Sequence, residues 1–427
     1  MALQTNPLRS LATTLRDISN RHRERHCPSG FGFAFADRID YLDASRWDQA
    51  VEGQSVFMRR DVLRVIESHG PENIQPRYAL MFRGKKPVAA IAAQVVSVAG
   101  DQLRQMDPAK ESSASRMRAV KRALTPVGKR AAQQLQEKMM VAGNLLAWGF
   151  HGIAFARGED ASTLWPGVAE ALYRLRRAHR LLGQTDFVMI KDVTPAQSGL
   201  KTLERWSYRA LETEPNMVLQ IDQRWKCYDD YLAALDAKYR RNCKDQAKKL
   251  AGAGCLIERI DNLRPHAQRL HQLYLNVVGN ASVRLVTLPE GYLPNLGAAL
   301  GEDFSCHVVR RGEEILGFVT AVRDGDTAIG YFIGFDRDTG GLPIYLRLLH
   351  TTIGEAIRWG CSRLSLGRTA LEPKAGMGAK PEPMNVYVRH RVPALNWVLR
   401  AALGAVPHAE PPERSPFKAP ANSETGI

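Results

Sequence analysis

The chain has 427 residues, 44% hydrophobic and 24% charged, a globular composition long enough for two or more domains. The formal net charge of +15 favours an anionic partner, although Arg spread along most of the chain equally suits a solvated basic surface. Six scattered cysteines with no CxxC pair, and no HExxH spacing, argue against a disulfide framework and against a metal site. The longest weakly polar run, Pro87 to Gly100, falls short of the roughly 20 residues a bilayer requires. The Arg-rich start, Met1 to Arg25, has no apolar signal core, so a cytoplasmic location without a transmembrane segment is expected. No Gly-x-Ser-x-Gly elbow, Walker A loop or Gly-x-Gly-x-x-Gly turn is present, which disfavours hydrolases and nucleotide-dependent enzymes.

Residues 1–28 read as a basic arm. From Phe31 the alternation of Phe31, Phe33 and Phe35 predicts a strand, and helices follow over Trp47 to Val51 and Val56 to His69. Tyr78 to Phe82 and Pro87 to Val98 predict a hairpin around Gly84. About 101–138, Arg104, Arg116, Arg118, Lys121, Arg122 and Lys129 sit among small polar residues and predict a basic helical insertion, either solvated or facing a polyanion. Gly149 to Phe155, a helix from Trp165 to Leu182, and Phe187 to Ile190 predict a parallel strand–helix–strand unit. Asn216 to Ile221 is a further strand. Asn144, Trp148, His151, Lys191 and Asp192 fall at the ends of these strands.

The second half opens near Trp225 with one long amphipathic helix, Asp229 to Leu250, closed by Gly252 and Gly254. A strand at Cys255 to Ile260 and a helix at Pro265 to Val278 follow. Phe304 to Arg310, Ile315 to Val322 and Thr327 to Phe335 predict a meander with turns at Gly312 and Gly325. A glycine loop, a helix carrying Leu342, Leu346, Leu349, Ile353 and Ile357 on one face, and a strand at Arg363 to Leu366 complete the order.

Three segments carry a family resemblance. The run Tyr239 to Gly254 resembles the "Tyr-Arg, basic helix, Gly, strand" opening of the second lobe of Fem-type proteins of the GNAT (N-acetyltransferase-like) superfamily. Gly330 to Asp336, with its loop and helix, is similar to their central strand. Leu366 to Gly378 is similar to their closing signature, an Arg shortly before a Lys and a Gly. The resemblance spans about Trp225 to Arg391. It implies an α/β fold of tandem GNAT-like lobes, each a mixed, mostly antiparallel sheet flanked by helices, with the basic helical insertion in the first lobe. The lobes are expected at 29–222 and 223–408, ahead of a disordered tail at 409–427.

The implied chemistry is transfer of an acyl group from a thioester such as acyl-CoA to the amine of a small molecule or peptide. An aminoacyl-tRNA donor, or a non-catalytic basic binding protein on the same fold, are the alternatives. Lys374 is the candidate for oxyanion or donor-phosphate contact, Arg368 for a phosphate or carboxylate, Glu372 for the base or for orienting one of these two, and Tyr331 for either a catalytic or a core position. Asp336, Gly340 and Gly341 are candidates at the donor, the glycines either presenting N–H groups to a phosphate or forming an ordinary strand-to-helix turn. Arg240, Arg241, Lys244 and Lys248 form a positive helix stripe that would meet a polyanion such as tRNA, and His151 and Asn144 are placed on the acceptor side. No metal is called for, and the oligomeric state is left open.

Overall fold

The computed structural model describes residues 27–99, 136–183, 185–279, 285–392, 412 and 414–418. The N-terminal arm and the basic insertion lie outside the described residues, apart from 27–28 and 136–138. The strands are β1 (Gly32–Ala36), β2 (Ile74–Arg83), β3 (Lys86–Ala99), β4 (Gln136–Ala142), β5 (Ile153–Phe155), β6 (Thr185–Val193), β7 (Arg209–Gln220), β8 (Cys255–Arg259), β9 (Phe304–Arg311), β10 (Glu314–Asp324), β11 (Thr327–Phe335), β12 (Arg363–Ser365) and β13 (Lys380–His390). The helices are α1 (Ala44–Val51), α2 (Arg60–His69), α3 (Ala161–Ala178), α4 (Lys201–Arg205), α5 (Tyr228–Ala234), α6 (Ala237–Gly252), α7 (Ala267–Val278), α8 (Tyr292–Leu300), α9 (Ile344–Arg358) and α10 (Leu371–Gly376).

All the strands join one sheet in the order β1-β2-β3-β4-β6-β13-β7-β12-β11-β10-β9-β8, with β5 added beside β3. Read inward from either edge, the two halves repeat the same plan: an antiparallel run of four strands, a parallel partner, then an antiparallel strand. The parallel neighbours are β4–β6 in the first half and β11–β12 in the second; β5, expected to be parallel to β6, instead pairs antiparallel with β3.

The innermost strands are exchanged. β13, from the C-terminal segment, lies against β6, and β7, from the first half, lies against β12. Packing follows the exchange: Tyr387 of β13 joins the core around Trp165 and Leu172, whereas Met217 and Leu219 of β7 join the core around Leu349 and Ile353. A third cluster spans both halves, with Trp47, Phe57, Leu63 and Ile66 against Tyr292, Leu296, Phe318 and Tyr331. Burial of this kind, at about 25 cal/mol per Å² of apolar area, makes the halves one cooperative body.

The helix expected over Asp229 to Leu250 is broken into α5 and α6. Leu235 leaves the helical path to bury its side chain, and its carbonyl accepts from Arg240 Nη1 at 3.1 Å. The break is covered by the segment 414–418, which the sequence placed in a disordered tail. Asp236 N–H donates to Pro416 O at 2.8 Å, Lys418 N–H to Ala234 O at 3.1 Å, and the Phe417 ring sits beside Trp225, Tyr231 and Gly378. Replacing Phe417 by alanine is expected to cost about 2 kcal/mol in chemical denaturation; an unchanged midpoint would mean that the segment adds no stability.

Candidate active site

The parallel pairing of β11 with β12 runs from Thr327–Arg363 to Ile329–Ser365 and stops, while β11 continues to Phe335. From Gly330 onward the β12-side edge of β11 therefore has no strand partner. On its other side, a bulge in β11 sets Tyr331 and Phe332 against Thr320 of β10, whose hydroxyl replaces the lost ladder bonds by accepting from Phe332 N–H (2.9 Å) and donating to Phe332 O (3.2 Å). The sheet is thus held on one side of β11 and open on the other.

Beyond Ser365 the chain turns through Gly367, in a left-handed conformation at φ +77°, where a Cβ would lie 3.2 Å from the Trp148 indole. Asn216 Oδ1 on β7 fixes the turn, accepting from Gly367 N–H at 3.1 Å and Ser365 Oγ at 3.0 Å. Ala370, at φ +52°, then opens α10, which carries Lys374 inward. The Lys374 side chain is buried and Nζ donates to Gly367 O at 3.3 Å. Desolvation lowers its pKa to about 8. An ammonium has three donors, and this contact uses one.

Arg368 points the other way, across the seam between the halves. It pairs with Asp192 at the end of β6, stacks on Trp148 at 5.4 Å and approaches Met384 Sδ at 3.5 Å. Asp192 is fully buried in a left-handed conformation (φ +55°) and also pairs with Lys191 and accepts from Gly149 N–H at 3.0 Å. Lys191 Nζ donates in addition to Ala147 O at 2.8 Å. Two cations share one carboxylate, and they hold its pKa below the ordinary value although burial alone would raise it. Sequence reasoning placed Lys191 and Asp192 at a strand end but missed that Asp192 is the hub joining the two halves.

Several candidates are spent elsewhere. Glu372 is exposed and pairs with Arg414, so the base role expected for it has no geometric support. The Tyr331 hydroxyl is shared with Tyr292 at 2.9 Å inside the core, and burial pushes its pKa well up, which fits a core wall rather than an acid or base. Asp336 is held by Arg269 and by Asn276 Nδ2 at 3.1 Å, leaving it tied to α7 rather than free for a donor.

His151 has both ring nitrogens occupied: Ser55 Oγ at 2.7 Å from Nδ1, and Trp148 O at 2.5 Å from Nε2. Desolvation lowers its pKa, so the ring clasps the seam in its neutral form with Nε2–H donating. Asn144 differs: Oδ1 accepts from Leu146 N–H at 2.9 Å, but Nδ2 is buried without a partner among the described residues.

Gly340 and Gly341 lie exposed in left-handed conformations ahead of α9, and Lys249 Nζ donates to Gly341 O at 2.9 Å. On α6, Arg241, Lys244 and Lys248 are exposed, whereas Arg240 caps the α5 break. A cavity of about 750 Å³ opens between the halves, bordered by Ser55, Arg59, Asp303, Arg323 and Trp359. Neither Lys374 nor Arg368 lines it. Among the described residues no cluster of His, Cys, Asp and Glu could hold a metal, and no helix is long and apolar enough to cross a membrane.

The site is thus a strand edge opened by the parting of two parallel strands, with a glycine loop and a helix beyond it. Residues 237–375 match the family model described as an acetyltransferase (GNAT) domain. The crystal structure of FemX superposes with a TM-score of 0.54 at 10% identity, covering 86% of this chain and 99% of that one. A tandem GNAT protein from the clavulanic acid biosynthesis pathway (TM-score 0.47, 10% identity, 85% and 99% covered) and the C-terminal domain of a putative lysylphosphatidylglycerol synthetase from Agrobacterium fabrum (0.45, 12%, 86% and 98%) are also similar. No curated protein matches by sequence. Residues 237–375 thus match a GNAT acetyltransferase domain, and the chain as a whole has a Fem-like fold.

Proposed function

We propose that the protein is an N-acyltransferase that moves an acyl group from a thioester donor, acyl-CoA, to an amine, with the donor lying along the open edge of β11. The observation that carries this reading is the buried Lys374 ammonium, with donors to spare, where β12 parts from β11. In this reading the amine attacks the acyl carbonyl, and the tetrahedral oxyanion is stabilised by Lys374. Collapse expels the thiolate, which takes up the proton the amine releases. Gly340 and Gly341 offer backbone N–H groups to the donor phosphates ahead of α9. Arg368, held by Asp192, borders the site as a positioning group, and the unpartnered Nδ2 of Asn144 is the best-placed polar group on the acceptor side. The protein acts in the cytoplasm in this reading.

One observation favours a second donor. The exposed stripe of Arg241, Lys244 and Lys248 belongs to the helix whose Lys249 touches the glycine loop, so a polyanion on α6 would lead into the donor site. Aminoacyl-tRNA fits that path.

Thermal unfolding with acetyl-CoA, and in parallel with bulk tRNA, separates the two. A ligand at about 100 times its dissociation constant adds about 2.7 kcal/mol to the native state. A rise in midpoint with acetyl-CoA, together with thiol release in the presence of an amine panel, supports the thioester reading. A salt-sensitive rise with tRNA alone moves the donor to aminoacyl-tRNA. No response to either overturns both.

A further inference from the structure

At the opposite end of β6 from Asp192 lies a second cavity, of about 270 Å³, lined by Tyr173, Arg176, Arg177, Arg180, Thr185 and Arg391. Seven strand steps at about 3.3 Å each separate Thr185 from Asp192, about 23 Å, so this cavity is not part of the acyl-transfer site. Its walls come from the end of α3 and the short 3-10 turn His179–Leu182 that follows it, the start of β6, and the residue after β13.

Four guanidinium groups meet there, and one carboxylate answers them. Asp186 pairs with Arg391, Nε to Oδ1 at 2.6 Å. Arg176 and Arg177 stack on the Tyr173 ring at 5.6 and 5.8 Å, and Arg177 donates to the Tyr173 hydroxyl at 3.1 Å. Among the described residues, Arg176, Arg177 and Arg180 have no ion-pair partner, and Arg389 adds a fifth positive charge facing Arg176.

Cations do offset the dipole at a helix C-terminus, by roughly 0.3–1 kcal/mol each. That accounts for one or two arginines on α3. It does not account for Arg391, which arrives from another element, or for Thr185. The Thr185 residue is 2% exposed and lines the cavity, yet its hydroxyl has no hydrogen-bond partner among the described residues. A buried hydroxyl left unsatisfied costs free energy unless something supplies an acceptor or a donor.

We propose that this cavity binds the phosphate or diphosphate group of a small phosphorylated ligand, with the arginine forks on its oxygens and the Thr185 hydroxyl as a further donor. Planar guanidinium groups match phosphate oxygens in pairs, and the aromatic stack on Tyr173 holds two of them in place before binding. The volume lies just below the roughly 300–1,000 Å³ of sites that enclose whole organic ligands, so it suits a phosphate group rather than a complete cofactor.

The test is calorimetric titration of the full-length protein with inorganic pyrophosphate at low salt. Saturable binding is expected, weakened about tenfold or more in Arg176→Gln/Arg180→Gln and again in Thr185→Val. Unliganded melting temperatures of the variants serve as the folding control. Absence of saturable binding, or equal affinity in wild type and both variants, overturns the site. A short single-stranded oligonucleotide forms the second arm: if it displaces pyrophosphate, and the double arginine variant abolishes this, the small-ligand assignment is overturned in favour of a nucleic-acid backbone. These outcomes do not depend on whether acyl transfer is observed.

Discussion

Replacing Lys374 by methionine is expected to lower acyl transfer about 10²–10³-fold while making the protein more stable at pH 7. The loss of rate is that of removing one positioned donor from an oxyanion. The gain in stability follows from the same burial that makes the donor effective. Desolvation sets the folded pKa of Lys374 at about 8, below the 10.5 of a free lysine. Below pH 8 the amine is charged in both states, and the folded state bears the cost of burying that charge. Between pH 8 and 10.5 the unfolded chain binds more protons than the native one, so stability rises with pH until the cost is gone. A shift of this size corresponds to about 3 kcal/mol. Methionine has a similar reach and no charge, so the variant should exceed wild type in chemical denaturation at pH 7 by up to that amount. The difference should close near pH 10. The donor role adds a further sign: wild-type turnover should fall as pH rises through about 8, because the deprotonated amine is a weaker oxyanion partner. A variant with wild-type kcat would end the catalytic assignment. A variant destabilised equally at pH 7 and 10 would show that the side chain serves packing alone.

The periodic parts of the fold were legible in the sequence. The meander from Phe304 to Phe335 announces itself through alternation and two glycine turns, and the face of α9 through leucine and isoleucine spacing. What was not legible depends on distant parts of the chain. β13, with Pro381, Pro383 and a polar alternation, is stabilised as a strand by pairing on both sides with β6 and β7, partners that lie about 200 and about 170 residues away. The break at Leu235 is likewise invisible locally, since a leucine leaves a helix only where a cavity and a covering residue such as Phe417 await it. α8 went unnoticed because Gly and Pro interrupt a short apolar run that could equally be loop.

The candidate site divides in the same way. Lys374 and Arg368 were found because they sit in a short motif. Glu372, two residues before Lys374, faces outward on α10 while Lys374 faces inward. Residues two apart on a helix do not share a face. Tyr331 and Asp336 were placed by their strand, yet which side of a strand carries function depends on what covers it, here α7 and α8. Arg176, Arg177 and Arg180 are near neighbours along the chain, but only the fold brings Arg391 and Thr185 to them.

The other large effect is expected at Asp192, whose replacement by asparagine should cost about 3–5 kcal/mol at pH 7. The substitution keeps the shape and removes the charge, which leaves Lys191 and Arg368 buried beside each other with no counter-ion. Breaking a buried ion pair from one side carries a penalty of that order, because the remaining charges have lost water and gain nothing in exchange. The wild-type carboxylate has a folded pKa below its unfolded value. Its contribution is therefore present above the ordinary carboxylate pKa and is lost as pH falls through the lower, folded value. The penalty of the asparagine variant should accordingly shrink in acid. Lys191 gives the opposite limb: its folded pKa is already lowered by desolvation, and without Asp192 it releases its proton more readily, so the variant should regain stability as pH rises. The interaction also crosses between the halves of the sheet, since Asp192 ends β6 and Arg368 follows β12. A double-mutant cycle with Arg368→Met tests this directly. If Asp192 is the hub, Asp192→Asn should cost clearly less in the Arg368→Met background, by about 1–3 kcal/mol, because one of the stranded cations is already gone. Additive losses, or a single-variant cost under about 1 kcal/mol, would mean that apolar packing and strand exchange hold the halves together without this carboxylate.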